Sequence, residues 1–300
     1  MGTTLSRSTL FPLELVSDMV NLVRGKSSLA ALSGSAPVPF NGANIFTFDL
    51  DSEIDVVAEN GAKSNGGATI DSVSIIPVKV EYGFRTSDEF MYAAEEYRLQ
   101  VLRAFAEGWA KKLAKGLDIM AFHGFNPRTL TASAVIGTNN FDSLISNTVT
   151  YVDATPTPVA DIQSAISTIE SYEHEVTGLA ISPKVRGDLA AEVQASGSNL
   201  PLFPEMAFGQ TPEYLWGLRT DANATVSAGT SQKARAYIGN FRDFFKWGYA
   251  KEMPIEVIEY GDPDNAGSDL KGHNQVYLRG EAYIGWALLD PTAFVRILTA

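Results

Sequence analysis

The chain has 300 residues, 45% hydrophobic and 19% charged, with a formal net charge of −12 and no cysteine. This is enough apolar material for a substantial core, and it excludes disulfides, cysteine nucleophiles and cysteine-based metal sites. The acidity repels phosphate backbones and argues against specific nucleic-acid binding; the sequence carries no signal-peptide pattern and no run of 18 apolar residues.

Residues 1–40 read as an arm. Pro12 suits the first turn of a short helix, and Val16, Met19, Val20 and Val23 follow at helical spacing. Gly25 stops the pattern, and "SGSAPVP" reads as an extended linker. This narrow apolar face has little of its own to pack against, so it is expected to dock elsewhere. Two β-like runs come next, "NIFTFDLDSEIDVV" and "IDSVSIIPVKVEYGF", separated by the polar, glycine-rich "AENGAKSNGGAT". A tight hairpin needs two to five turn residues, so the spacing predicts a long ribbon with a broad tip. Phe46, Phe48 and Leu50 share one face of the outgoing arm. In the return arm Val73 and Ile75 are in phase, and Ile76, Val78, Val80, Tyr82 and Phe84 form the next set. The flip beside Pro77 predicts a bend where the ribbon leaves the body.

Ser87, an N-cap residue type, then opens a long helix with Asp88 and Glu89 in its first turn. Phe90, Ala94, Tyr97, Val101, Phe105 and Trp109 form its apolar stripe, expected to face Val78, Val80 and Tyr82. Lys111, Lys112 and Lys115 are expected at its far end, where cations suit the helix dipole. Residues 126–158 read as loops. An amphipathic helix (Ile162, Ile166, Ile169), a buried strand "GLAISP" and a second helix capped by Ser182 with Pro183 at its first position follow. Strands are expected in "ARAYIGNF", "PIEVIEY", "QVYLRGEAYIGWALL" and "AFVRIL".

Catalytic patterns are missing. "GKS" at residues 25–27 lacks the phosphate-loop glycine, since Val20 stands there. "DPDNAG" fails as a calcium loop at Ala266 and His273, and reads as a solvated acidic turn. His123 and His273 are read in glycine-flanked loops, and His174 lacks a zincin partner. Glu95 and Glu96 are adjacent and so do not face each other. Asn223 in "NAT" is a formal glycosylation sequon, expected to be idle. No catalytic residue, cofactor site or metal site is expected.

An arm, a ribbon, a spine helix and a compact α+β domain, in that order, resemble one family. The resemblance is carried by "AENGAKSNGGATIDSVSIIPVKVEYGFRTSDEFM", "LFPEMAF…EYLWGL", "AYIGNF" and "RGEAYIGWALLDPTAFVRI", spread over nearly the whole chain. The sequence looks like a tailed-bacteriophage major capsid protein of the Hong-Kong-97 fold. That resemblance implies an α+β fold with an N-terminal arm (1–40), an extended ribbon called the E-loop (41–77) and a peripheral domain with the spine helix (78–150). An axial domain (151–250) and returning strands (251–300) complete it. It implies self-assembly as hexamers and pentamers into an icosahedral head shell around phage double-stranded DNA, held without specific contacts and without any membrane. Scaffolding, portal and decoration proteins are the implied partners, and the implied locale is the virion, assembled in the host cytoplasm.

The ribbon tip, Glu59, Asn60, Gly61, Lys63 and Asn65, and the arm residues Val16, Met19, Val20 and Val23 are the expected contacts between subunits. A polar tip with no core should lie across a neighbour, which satisfies its backbone and covers its apolar face. Some family members crosslink subunits through a ribbon lysine; Lys63 is the only lysine at this tip. The chain opens straight into the arm, where many members have a cleaved scaffolding segment, so scaffolding is expected as a separate protein unless the sequence is a mature one. Two alternatives remain: an encapsulin-like nanocompartment shell of the same fold, and a soluble enzyme whose site is assembled only in space.

Overall fold

A computed structural model describes residues 27–92, 95–194, 199–229, 233–252 and 255–300. The arm residues Val16, Met19, Val20 and Val23 lie outside these, as do Ala94 and the side chains of Phe90, Glu95, Glu96 and Tyr97.

The first described element is a short helix, α1 (Ser28–Leu32), capped by the Ser27 hydroxyl, which accepts from the Ala30 amide at 3.2 Å. Leu29 and Leu32 are buried in the main core. The chain then runs beside a later strand, with Ala36 N donating to Trp247 O (2.9 Å) and Val38 N to Tyr249 O (3.2 Å). Residues 28–38, assigned to the arm from sequence, are thus packed into the body. Apolar side chains and a free edge strand were both available to hold them.

The ribbon consists of β1 (Ala43–Leu50) and β2 (Ala68–Ile75), paired antiparallel from Ala43↔Ile75 to Leu50↔Ala68. The paired arms have eight residues each, about 26 Å at roughly 3.3 Å per residue, which is half of the arm length expected from the β-like runs. Beyond Leu50 the Asp51 amide still donates to Gly67 O at 3.1 Å. The span from 52 to 66 is then strand-free, with a turn closed by Gly61 N on Ala58 O (2.8 Å) and Asn60 at φ +64°. Glycines and acids there lack the β-branched side chains that sustain a ladder. Ile76 and Pro77 break the strand as expected. The return path resumes as β3 (Val78–Ser87) in a different sheet.

After a short helix, α2 (Glu89–Tyr92), the spine is α3 (Glu95–His123), 29 residues and so about 43 Å long. It extends two turns past Lys115, so the three lysines are not at its end, and His123 is its last residue rather than part of a loop. Phe105 and Trp109 are buried and Val101 partly so. Tyr82 of β3 lies 6.3 Å from the Phe105 ring and 6.4 Å from Trp109, and Phe84 lies 5.3 Å from Phe105. The predicted stripe therefore meets the predicted strand. Gly280 makes room for it, since a Cβ there would sit 3.1 Å from the Trp109 ring.

The region read as loops contains a small hairpin, β4 (Phe125–Asn126) with β5 (Thr131–Ala132), a helix α4 (Phe141–Leu144) and a strand β6 (Thr148–Tyr151). Helix α5 (Pro158–Glu170), strand β7 (Gly178–Ile181) and helix α6 (Pro183–Ala191) follow as expected, with Ser182 capping α6. Next come β8 (Tyr214–Leu215), β9 (Leu218–Ala222), β10 (Ala234–Gly239), helix α7 (Phe241–Phe244), β11 (Phe245–Glu252), β12 (Glu256–Ile258), β13 (Gln275–Leu288) and β14 (Phe294–Thr299).

Two sheets organise the body. The six-stranded one has the order β6-β14-β10-β7-β9-β8. Helices α5 and α6 cover one side of it, burying Ile169, Val185 and Leu189 with Ala236, Ile238 and Ile297. In the second sheet β13 pairs with β3 along one edge and with β11 and β12 along the other. The main core joins the second half of α3 to α1, β11 and β13, with Phe122 stacked on Tyr237 at 4.4 Å. Among the described residues no helix is long and apolar enough to cross a membrane.

Candidate assembly surface

The pairing register assigns the ribbon's two faces. Residues directly opposite in an antiparallel pair share a side. Ala43, Ile45, Val73 and Ile75 therefore point one way at the base, where Ile75 is buried against Val38 and Ala287, with Ile45 and Val73 packed around them. This roots the ribbon in the body. The other face carries Phe46, Phe48 and Leu50 with Ile70 opposite Phe48. These side chains are 71%, 65% and 64% exposed for the first three and 66% for Ile70. A contiguous apolar patch of this kind marks an interaction surface.

Glu59, Asn60, Gly61, Lys63 and Asn65 are all exposed at the tip. They are near in chain, and nothing within the described chain covers them. The four arm residues of the same expectation lie outside the described residues, so the two sets are not brought together.

Body residues that sequence reasoning passed over tie the chain entering the body, the spine helix and the strands together. Asp118 of α3 is fully buried and accepts from the Ser27 hydroxyl, the Ser28 amide (3.0 Å), the Leu29 amide (3.2 Å), the Thr225 hydroxyl (2.7 Å) and Asn223 Nδ2 (3.4 Å). Burial pushes its carboxyl up to about 6 against the pull of these hydrogen bonds. It ties the chain entering the body to the spine helix. Asn223, the formal sequon, is thereby engaged as the cap of a 3-10 turn, accepting from the Thr225 amide. No sequence signal marked Asp118, because its partners lie about a hundred residues away on either side.

His123 sits between the Asp142 carboxylate (2.8 Å) and the Thr225 carbonyl oxygen (2.9 Å), with the Tyr237 hydroxyl 2.7 Å from Asp142 and Arg296 completing the cluster at 3.2 Å. Burial, with Asp142 alongside, raises the Tyr237 phenol well above its ordinary range. This cluster joins α3, α4, β10 and β14. Arg85 of β3 donates to both oxygens of Asp264 at 3.0 Å and to Ser268 Oγ at 2.8 Å, and it also pairs with Asp262. The "DPDNAG" turn is thus pinned by an arginine, and its Asp262 carboxylate accepts from the Ala266 and Gly267 amides. Among the described residues no group of three His, Asp or Glu side chains could hold a metal ion.

No protein-family profile and no curated protein matches the chain. Solved structures do. A chain from Mycobacterium phage Ogopogo aligns with a TM-score of 0.80 at 29% identity over 92% of both chains. One from Gordonia phage Cozz gives 0.74 at 24% identity, covering 92% of this chain and 87% of that one. The capsid of an empty GTA particle gives 0.64 at 13% identity over 92% and 90%. The fold is that of phage capsid proteins. More particularly, these similarities support a tailed-phage major capsid protein, the kind of protein its ordered motifs resemble.

Proposed function

We infer that the chain is the shell-forming major capsid protein of a tailed phage, assembling as hexamers and pentamers into an icosahedral head around double-stranded DNA. The observation that carries this reading is the ribbon: its root is packed in the body while Phe46, Phe48, Leu50 and Ile70 stand uncovered on the same fold as a phage chain aligned over 92% of its length. The neighbour in the shell covers that face, with Glu59, Asn60, Gly61, Lys63 and Asn65 as tip contacts and Val16, Met19, Val20 and Val23 as arm contacts. The chain divides into arm, ribbon, peripheral domain, axial domain and returning strands. Its role is structural rather than enzymatic. Its partners are other copies of itself, with scaffolding, portal and decoration proteins, and it resides in the virion after assembly in the bacterial cytoplasm. With a net charge of −12, DNA is held by confinement.

Deleting Asn60 to Gly67 tests this. The expected result is a subunit with unchanged thermal melting that forms no closed shells in sedimentation and electron microscopy. Normal shells from the deletion variant would refute the ribbon's role. Small discrete oligomers from the native chain would refute the capsid reading.

A further inference from the structure

Asparagine followed by glycine occurs three times, at residues 41–42, 60–61 and 65–66, and all three pairs lie on the ribbon or at its root. The pair carries a chemistry of its own. Glycine has no Cβ to keep its amide nitrogen away from the preceding side chain, so that nitrogen can swing onto the asparagine Cγ. The fold decides which pair has that freedom.

Two of the three are held in turns. The Gly42 amide donates to Pro39 O at 2.9 Å, and the Gly61 amide donates to Ala58 O at 2.8 Å. In both turns the asparagine directly precedes the donor, and the hydrogen bond across the turn fixes the backbone torsion between them. The same bond holds the nitrogen that would have to attack. Gly42 is fixed further, at φ +86° with Ile75 O 2.7 Å from where its Cβ would be. Asn65–Gly66 differs. Both residues are exposed and lie outside strands and turns, and among the described residues the Gly66 amide donates to no group. Gly67 follows, so neither residue after the asparagine carries a side chain, and β2 begins only at Ala68.

We propose that Asn65 is a self-modifying site, at which the unassembled subunit converts asparagine to aspartyl and isoaspartyl residues. The Gly66 nitrogen attacks Cγ of Asn65. The N–Cγ bond forms, the Cγ–Nδ2 bond breaks, and Nδ2 leaves as ammonia with the glycine's proton. Water then opens the cyclic imide at either carbonyl. The net change turns a neutral amide and one water into a carboxylate and ammonium, with no change of oxidation state. The product adds a negative charge to a tip where Asp51, Glu53, Asp55 and Glu59 are already exposed against the single base Lys63. The isoaspartyl form also lengthens the backbone by a methylene at the step into β2.

The test is peptide-mapping mass spectrometry of the full chain, kept dilute and confirmed unassembled by sedimentation. Incubation in mildly alkaline buffer favours the deprotonated nucleophile, and isoaspartate is counted separately by enzymatic methylation. Asn65 should convert about three- to tenfold faster than Asn41 or Asn60, the ratio that one retained turn hydrogen bond corresponds to. In urea the turns are lost and the three rates should converge. Asn65→Gln should stop conversion at that position, and Gly66→Ala should slow it several-fold, both with unchanged thermal melting. A Cβ at Gly66 would meet only the Ser52 hydroxyl, at 2.9 Å, and that exposed side chain can turn away. An Asn65 rate no higher than the other two in the folded chain overturns the proposal, as does a Gly66→Ala variant that converts at the native rate. A rate difference that survives in urea overturns it too, by assigning the difference to sequence neighbours rather than to the fold. Aspartate formed without isoaspartate would refute the cyclic-imide route.

Discussion

The ribbon and strand β13 are both antiparallel, and their environments are opposite. β13 is flanked by strands on both edges, and Ala282, Ile284, Trp286 and Leu288 sit in the main core. Among the described residues the ribbon pairs only with itself, and its aromatic face is open. The difference teaches that alternation records which face is apolar and not what covers it. In β13 the cover is α3 of the same chain; in the ribbon nothing among the described residues covers the aromatic face, and in the proposed shell a neighbouring copy does. The same substitution chemistry should therefore report on folding in one region and on assembly in the other.

The largest expected effect lies on the covered side. Phe105→Ala removes a buried ring in contact with Tyr82 and Phe84 and should cost about 3–5 kcal/mol. Urea melts of an assembly-blocked subunit measure this. An unmoved midpoint would show that this face of the spine helix lies at a subunit boundary, and the contrast with the ribbon would collapse.

A comparable effect comes from pH and concerns the buried carboxylate that holds Ser27 to Leu29 against the spine helix. Burial holds the folded-state carboxyl of Asp118 at about 6, above an unfolded value of about 3.9. The folded state therefore binds this proton more tightly. Its stabilising contribution is fully present below about pH 4 and is lost as the pH rises through about 6, a difference of about 3 kcal/mol. The Asp118→Asn side chain does not ionise, so the variant's urea midpoint should lose this decline between about pH 4 and 7. Parallel pH profiles for the native chain and the Asp118→Asn variant would sink the idea that burial governs this carboxyl.

The smallest effect on the subunit should come from the open side. Phe46→Ala with Phe48→Ala removes more apolar surface than Phe105→Ala, yet it should move subunit stability by under about 0.5 kcal/mol while abolishing shells in sedimentation. A large loss of subunit stability would mean that the ribbon is covered by its own chain, and the comparison would have to be withdrawn.

Much of this architecture is legible from local pattern. The phase flip at Pro77, the stripe through Phe105 and Trp109, the Ser182 cap and the strand in "QVYLRGEAYIGWALL" are set by neighbours within a few residues, and each is found where the pattern predicts. The ribbon arms read too long from sequence, because apolar residues such as Ile54 and Val56 look like strand when they are an uncovered tip. β6 reads as loop, since four residues cannot be told from a turn until β14, nearly 150 residues later, pairs with them in parallel.

By itself, then, the sequence determined the element types, the apolar face of each, and the ordered motifs that point to a capsid subunit. Those properties follow from periodicity, which is local. Only the tertiary structure decided that Ser27, Asp118, Asn223 and Thr225 meet in one buried cluster and that Arg85 reaches across to Asp264. Each of these depends on which distant residue a side chain meets once the chain has folded. A hydrogen bond or ion pair needs its partner within about 3 Å, and spacing along the sequence carries no record of that distance.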